Sequence, residues 1–298
     1  MRGPETGSAA ADDSTPFAAL AFDHRKRNFS SVRPAGMTDE QIRLSKELIF
    51  DAFEVARGQG PTGMRPGVII DEEYGADLAR RAVDSGVEVA MPVERAAQPV
   101  FTFEYGDDFG AHLRAFRPSC AKALVHYRTT DADDVRRVQA SRLRQLSDFL
   151  SGEPIAFMLE LIVGQRADDE RAAPTVQADS LCAAMAELQE AGVEPDIWKV
   201  EGTTSREDAA RIVAQAWQQN AQARCVVLGA SASERAVRQW LDVAAATPGY
   251  SGFAIGRSIW GGSITGWLDG RLGRGRAVEE IASTYRRWAL RYGGERIG

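Results

Sequence analysis

The sequence predicts an α/β protein of the (β/α)8 TIM barrel class, and three observations carry that expectation. Eight short apolar runs, rich in Val, Ile and Phe, alternate with longer amphipathic stretches along 298 residues. Several runs lack the apolar/polar alternation of a sheet with one wet face, which is the pattern of parallel strands covered on both sides. Eight strand–helix units in a chain of this length favour closure into a barrel over an open doubly wound sheet.

The first strand is expected in "FAALAFDHR" (17–25). It is followed by the amphipathic "MTDEQIRLSKELIFDAFEVARG" (37–58), where Thr38 is the expected N-cap and Gln41 completes a capping box. The second strand is "GVIIDEEYG" (67–75), with a short helix over 76–86. The third is "VEVAMPVE" (87–94), and the excursion after it (95–119) shows no clear helix. Four further units pair "KALVHYR" (122–128) with a helix at 131–152, "IAFMLELIV" (155–163) with 176–192, "IWKVEG" (197–202) with 205–219, and "CVVLGAS" (225–231) with 232–246. The last strand, "GFAIGRSIW" (252–260), precedes a helix at 277–292. Between them Gly270, Gly273 and Gly275 miss the GxGxxG spacing and read as a turn.

Residues 1–15 carry acidic groups and no apolar core, so they read as a disordered leader rather than a signal peptide, leaving 16–298 as a single barrel catalytic domain. A net charge of −6 offers no general attraction to nucleic acid or an anionic membrane surface. No window approaches the roughly 18 apolar residues of a membrane helix. Cys120, Cys182 and Cys225 are odd in number, far apart and in no CxxC spacing, which suggests neither a disulfide framework nor zinc and fits reduced, buried thiols. The expectation is a soluble cytoplasmic protein acting on a small molecule, with homo-oligomer formation left open.

Lysine use points to the chemistry. Of the 36 basic residues only Lys26, Lys46, Lys122 and Lys199 are lysines, and Lys199 lies between Trp198 and Val200 in an apolar run. Function in a barrel gathers at the C-terminal strand ends, and side chains alternate along a strand. If Trp198 and Val200 face the helices, Lys199 and Glu201 face inward, and the same parity turns Glu160 inward. Lys122, His126 and Arg128 share one face of the fourth run, and Asp23 and Arg25 close the first. A lysine amine attacks a carbonyl only when neutral, and the ordinary lysine value near 10.4 leaves about one part in a thousand neutral near pH 7.4. Burial and a second cation favour the neutral amine, and Lys122 is the candidate cation. Glu160 is the candidate proton carrier, and Asp23 holds a substrate hydroxyl or orients Lys199. His126, Arg128, Arg25 and Glu201 complete the expected substrate contacts. An inward lysine–glutamate set is also what a structural ion pair looks like. Gly229, Ala230 and Ser231 after the seventh run, with Gly256 and Arg257 on the eighth, form the expected phosphate site, because backbone N–H groups and an arginine fork both grip phosphate. A zinc-dependent aldolase would need a histidine cluster, and of His24, His112 and His126 the first is expected to point outward, so no metal or cofactor is expected.

The segments "LAFDHR" (20–25), "ALVHYR" (123–128), "MLEL" (158–161), "PDIWKVE" (195–201) and "FAIGRSIW" (253–260) resemble, in order and spacing, class I aldolases of the tagatose-bisphosphate aldolase superfamily. The branch most similar is the 2-deoxy-5-keto-gluconate-6-phosphate aldolase family of inositol catabolism. The resemblance spans about residues 17–292. It implies a Schiff base on Lys199, roles for Asp23, Lys122 and Glu160 beside it, and no cofactor. It also implies cleavage of a phosphorylated keto-sugar to dihydroxyacetone phosphate and an aldehyde. Ile197 stands where that branch tends to carry a second tryptophan, and Val200–Glu201 look more like the tagatose branch. Tagatose or fructose 1,6-bisphosphate, a sulfonated ketose phosphate, and a non-catalytic sugar-phosphate-binding barrel are the alternatives.

Overall fold

Eight parallel strands pair in sequence order and close on themselves in the computed structural model, which describes residues 15–27, 29, 32–33, 36–164 and 178–294. The strands are β1 (Phe17–Ala21), β2 (Arg65–Ile69), β3 (Glu88–Pro92), β4 (Cys120–His126), β5 (Ala156–Ile162), β6 (Ile197–Glu201), β7 (Arg224–Leu228) and β8 (Tyr250–Ile255). The helices are α1 (Asp39–Gly58), α2 (Glu72–Asp84), α3 (Phe109–Phe116), α4 (Asp133–Leu150), α5 (Ala178–Glu190), α6 (Arg206–Ala216), α7 (Glu234–Ala245), α8 (Arg257–Leu268) and α9 (Arg274–Tyr292). The expected leader lies outside the described residues apart from Thr15. No helix among them is long and apolar enough to cross a membrane.

The period-two alternation of the strands creates two separate cores. Phe17, Ala19, Ala21, Ile69, Ala90, Cys120, Met158, Val226 and Ala254 fill the barrel interior as an apolar floor. Their neighbours on the outer faces, among them Leu20, Val68, Ala121, Leu159, Trp198, Val200 and Phe253, pack against the helices. Fully burying one such large apolar side chain is worth about 1.5–3 kcal/mol, so the outer layer fixes which face of each strand looks inward. Cys120 and Cys225 are buried and Cys182 is half-buried.

Closure between β8 and β1 needs one glycine. Cys225 pairs with Tyr250 but Val227 with Phe253, so β8 carries an extra residue, a bulge. Gly252 within it has φ +129°, and a Cβ there would lie 1.8 Å from the Phe17 carbonyl oxygen. Its N–H donates to the Tyr292 hydroxyl at 2.9 Å, tying the closing strand to α9.

Thr38 caps α1 with the expected reciprocal bonds to Gln41. Three expectations are corrected. The second run does not stay extended to residue 75: Asp71 accepts the Tyr74 N–H and starts α2 at Glu72. The excursion after β3 contains a helix, α3. The last run stops being strand at Ile255, and Arg257 is the first residue of α8 rather than part of β8.

Candidate active site

Directly above the apolar floor the next inward positions turn polar. Lys122 follows Cys120 on β4, Glu160 follows Met158 on β5, Lys199 follows Ile197 on β6, and Asp23 lies two residues beyond Ala21 of β1. The strand register sets Glu160 opposite Lys199. Lys122 Nζ contacts Asp23 Oδ2 at 2.7 Å, Glu94 Oε1 at 2.9 Å and Glu160 Oε2 at 3.0 Å. Lys199 Nζ meets the same Glu160 oxygen at 2.9 Å. All five groups line a cavity of about 460 Å³, within the range of small-molecule sites.

The cluster sets its own protonation. Burial pushes Lys122 towards the neutral form, but the carboxylates of Asp23, Glu160 and Glu94 hold its ammonium well above the ordinary lysine value. Burial pushes Asp23 up, yet Lys122, Lys199 and His24 bring it far below the usual carboxylate range. Glu160 is likewise raised by burial and then brought below its ordinary value by Lys122 and Lys199. Glu94 goes the other way: burial raises it, and Lys122 and Arg25 do not restore it.

Glu94 is legible in the sequence only as a strand-end carboxylate and is not among the expected site residues. Its position is made by the excursion after β3. Glu94 forms an antiparallel bridge with Phe103, flanked by Arg95 N–H to Thr102 C=O at 2.8 Å and Glu104 N–H to Val93 C=O at 2.9 Å. Phe103 stacks on Phe109 of α3 at 4.2 Å between ring centroids. Gln139 of α4 accepts the Phe101 N–H and donates to the His126 carbonyl, clamping the excursion to β4.

The ends of β7 and β8 form a second feature of the cavity. Ala230 and Ser231 have φ of +44° and +56°, a strained left-handed pair. The turn is closed by Ala232 N–H to Gly229 C=O at 2.8 Å. Gly256 is the N-cap of α8, offers no side-chain cap and takes the Ile259 N–H on its own carbonyl at 2.8 Å, and the positive end of the helix dipole lies at this terminus. A Cβ on Gly256 would lie 2.3 Å from the Ala21 carbonyl oxygen, so that close approach requires glycine. Ser258 Oγ donates to the Ala232 carbonyl at 3.2 Å and joins the two loops. Gly229, Ala230, Ser231, Gly256 and Arg257 all line the cavity, as expected, and Ser258 joins them.

Other expected residues separate. His126 lines the cavity. Arg25 does too, but its Nη1 donates to the Glu94 carbonyl at 2.8 Å and the Glu104 carboxylate at 2.9 Å, which makes it a brace for the excursion. Arg128 does not line the cavity: the strand ends at His126, the inward parity stops with it, and Arg128 Nε pairs with Asp131 at 3.4 Å. Glu201 is buried but also off the cavity, and burial without a partner among the described residues lifts its carboxyl to about 7. His24 does not point outward. It lines the cavity, edge-on to Trp260 at 5.1 Å. Burial, opposed only in part by Asp23, lowers it to about 3, so its imidazole is neutral at pH 7. Arg27 and Arg95 also reach the cavity and are not anticipated by the sequence.

Residues 7–292, which contain every group of this cluster, match a family described as "Uncharacterized protein conserved in bacteria (DUF2090)". The chain belongs to that family. No curated protein matches this DUF2090 chain in sequence. Among solved structures it is similar to an archaeal fructose 1,6-bisphosphate aldolase, with a TM-score of 0.59 and 15% identity over 95% of this chain and 96% of that one. A structural-genomics protein from Corynebacterium glutamicum gives 0.62 and 16%, over 94% of this chain and 86% of that one. A Schiff-base-forming fructose-1,6-bisphosphate aldolase gives 0.53 and 14%, over 87% and 95% respectively. At these identities the likeness speaks for the fold, and the DUF2090 chain shares the TIM barrel of its aldolase neighbours.

Proposed function

We propose that this DUF2090 protein is a class I aldolase that cleaves a phosphorylated keto-sugar through a Schiff base on Lys199. The observation that carries the reading is the setting of Lys199: its amine meets Glu160 at 2.9 Å, on the wall of a cavity that also holds the glycine-lined loops and Arg257. In the neutral form the amine adds to the substrate ketone, and loss of water from the carbinolamine gives a protonated imine. The imine draws the electron pair of the adjacent carbon–carbon bond as it breaks. Loss of the aldol hydroxyl proton releases the aldehyde and leaves an enamine on Lys199. Proton return to the enamine carbon and hydrolysis free dihydroxyacetone phosphate.

The loops after β7 and β8, with the α8 N-terminus and Arg257, suit the phosphate. Arg27 and Arg95 suit a second anionic end. The finer reading is 2-deoxy-5-keto-gluconate 6-phosphate, supported by the sequence resemblance, with Arg27 and Arg95 on the cavity wall as candidate partners of its terminal carboxylate. Fructose 1,6-bisphosphate is the second reading, favoured by the aldolase neighbours.

Borohydride reduces an imine to a stable secondary amine. Incubation with dihydroxyacetone phosphate and borohydride is therefore expected to add covalent mass that peptide mapping assigns to Lys199. Lys199→Met abolishes it. Absence of added mass in the folded parent, or its location on Lys122, overturns the assignment.

A further inference from the structure

Glu160, the proton carrier expected from the sequence, and Asp23 beside it are both tied to ammonium groups. Lys122 Nζ has three N–H bonds and three carboxylate contacts, to Asp23, Glu94 and Glu160. One oxygen of Glu160 serves both lysines, at 3.0 and 2.9 Å. An anion shared by two cations is a poor proton acceptor. Asp23 has the shortest of the Lys122 contacts, 2.7 Å. Among the described residues Glu94 has one ammonium contact and, on its other oxygen, the Leu124 N–H at 3.2 Å.

We infer that Glu94 is the proton-carrying carboxyl of this site, accepting the proton lost from substrate at cleavage and returning it to the enamine carbon. The inference rests on the Schiff-base reading of Lys199. Three carboxylates and two ammonium groups share one buried cluster, with side chains 2–14% exposed. With all five ionised, one negative charge is in excess. Burying an uncompensated charge is costly, so the carboxylate with the weakest cationic contact takes up a proton most readily. The other charged groups around Glu94 are already engaged. Arg25 turns to the Glu94 backbone carbonyl and Glu104, and Arg95 lies 3.8 Å from Glu104. Burial and the neighbouring Asp23 charge raise Glu94, against Lys122 and Arg25, whereas Asp23 and Glu160 end below their ordinary values.

The cycle balances without another reagent. The iminium is positive and the Glu94 carboxylate negative. The hydroxyl O–H bond breaks toward Glu94 and its electrons form the aldehyde C=O. The carbon–carbon pair moves into the enamine and neutralises the nitrogen. Glu94, now a neutral acid, protonates the enamine carbon and restores the iminium, which water hydrolyses. The bridge to Phe103 gives the excursion its purpose here: it holds one carboxyl at the cavity wall away from Lys199.

Dihydroxyacetone phosphate alone tests the inference, whatever the aldehyde half is. In D2O the parent exchanges a carbon-bound proton of this ketone through the iminium–enamine step, read by NMR. Glu94→Gln keeps the side-chain volume and leaves two carboxylates for two ammonium groups. Its exchange rate is expected to fall about 10²–10⁴-fold, while borohydride trapping on Lys199 persists at the parent level. The parent rate should rise with pH through an acid limb, because protonated Glu94 accepts nothing. Glu94→Gln loses that limb and Glu94→Asp keeps it. Exchange in Glu94→Gln within a few-fold of the parent, an unchanged acid limb, or equal loss of trapping and exchange overturns the inference. A parent that is not trapped at all removes the Schiff-base reading, and Glu94's role falls with it.

Discussion

Replacing Lys122 with methionine tests the central claim about how this site is held together. Methionine has a similar length and no charge, so Asp23, Glu94 and Glu160 lose their common ammonium while packing on the barrel wall is largely kept. Removing one partner from a buried ionic cluster costs about 3–5 kcal/mol, because the remaining charges are left without compensation. Lys122 makes three contacts, but these act as one network and do not add as three separate pairs. Lys199 still offsets Glu160 at 2.9 Å, so the loss at pH 8 is expected at about 3–5 kcal/mol.

The pH dependence follows from the directions of the shifts. In the parent, Asp23 and Glu160 lie below their ordinary values. Their stabilising contribution is present above the unfolded carboxylate range and is lost only as pH falls through the depressed folded values. Without Lys122, burial dominates and the three carboxyls rise together. The variant then relieves its excess charge by taking up protons as pH falls, at values where Asp23 and Glu160 of the parent stay ionised. The stability gap therefore narrows between pH 8 and pH 5. Urea denaturation followed by tryptophan fluorescence reads it, since Trp198 is fully buried beside Lys199. A loss under about 1 kcal/mol at pH 8, or a gap equally wide at pH 5, would refute the charge-sharing argument.

Arg257→Ala removes a charge-assisted contact worth about 1.5–3 kcal/mol, so KM for a phosphorylated substrate should rise roughly tenfold to a hundredfold with trapping on Lys199 intact at saturation; an unchanged KM places the phosphate elsewhere. Gly252→Ala puts a Cβ 1.8 Å from the Phe17 carbonyl oxygen at φ +129°, so thermal unfolding should show a loss above about 4 kcal/mol, in the exceptional class for one substitution; a variant within about 1 kcal/mol of the parent means the bulge relaxes.

Strand parity is the legible part of the site. Trp198 and Leu159 face the helices, and Lys199 and Glu160 face inward, because alternation is a property of the backbone and survives any tertiary detail. The same rule fails where a strand ends. Parity carried past His126 turns Arg128 inward, but β4 has stopped there and Asp131 takes the side chain. The start of α2 is hidden in an apolar run, although Asp71 followed by two glutamates is a helix-start signal. Gly261, Gly262 and Gly266 mask α8, since glycine lowers intrinsic helix propensity. Glu94 is visible at a strand end, yet its meaning depends on a bridge to Phe103 and on Lys122 of the next strand. No local pattern carries such long-range pairings.

The scarcity of lysine now has a physical reading. Lys26 is exposed and pairs with Asp39 on the surface, whereas Lys46, Lys122 and Lys199 are all buried. Lys46 donates to the Phe22 carbonyl and to Asp71, and its partner carboxylate also caps α2. Phe22 immediately precedes Asp23 in the chain. Two buried ammonium groups therefore fix the end of the first strand: Lys46 holds its backbone, and Lys122 holds the Asp23 carboxylate. An ammonium is a compact point charge whose donors diverge, while a guanidinium is a planar fork suited to one carboxylate or phosphate face. Convergence of three carboxylates from different strands on one nitrogen calls for the first geometry. Arg25, the buried exception, uses the second and spans a backbone carbonyl and Glu104 at the cavity wall. Surface charge can be carried by arginine throughout this chain, but the interior cluster needs lysine, and so does an amine that must lose its proton to react.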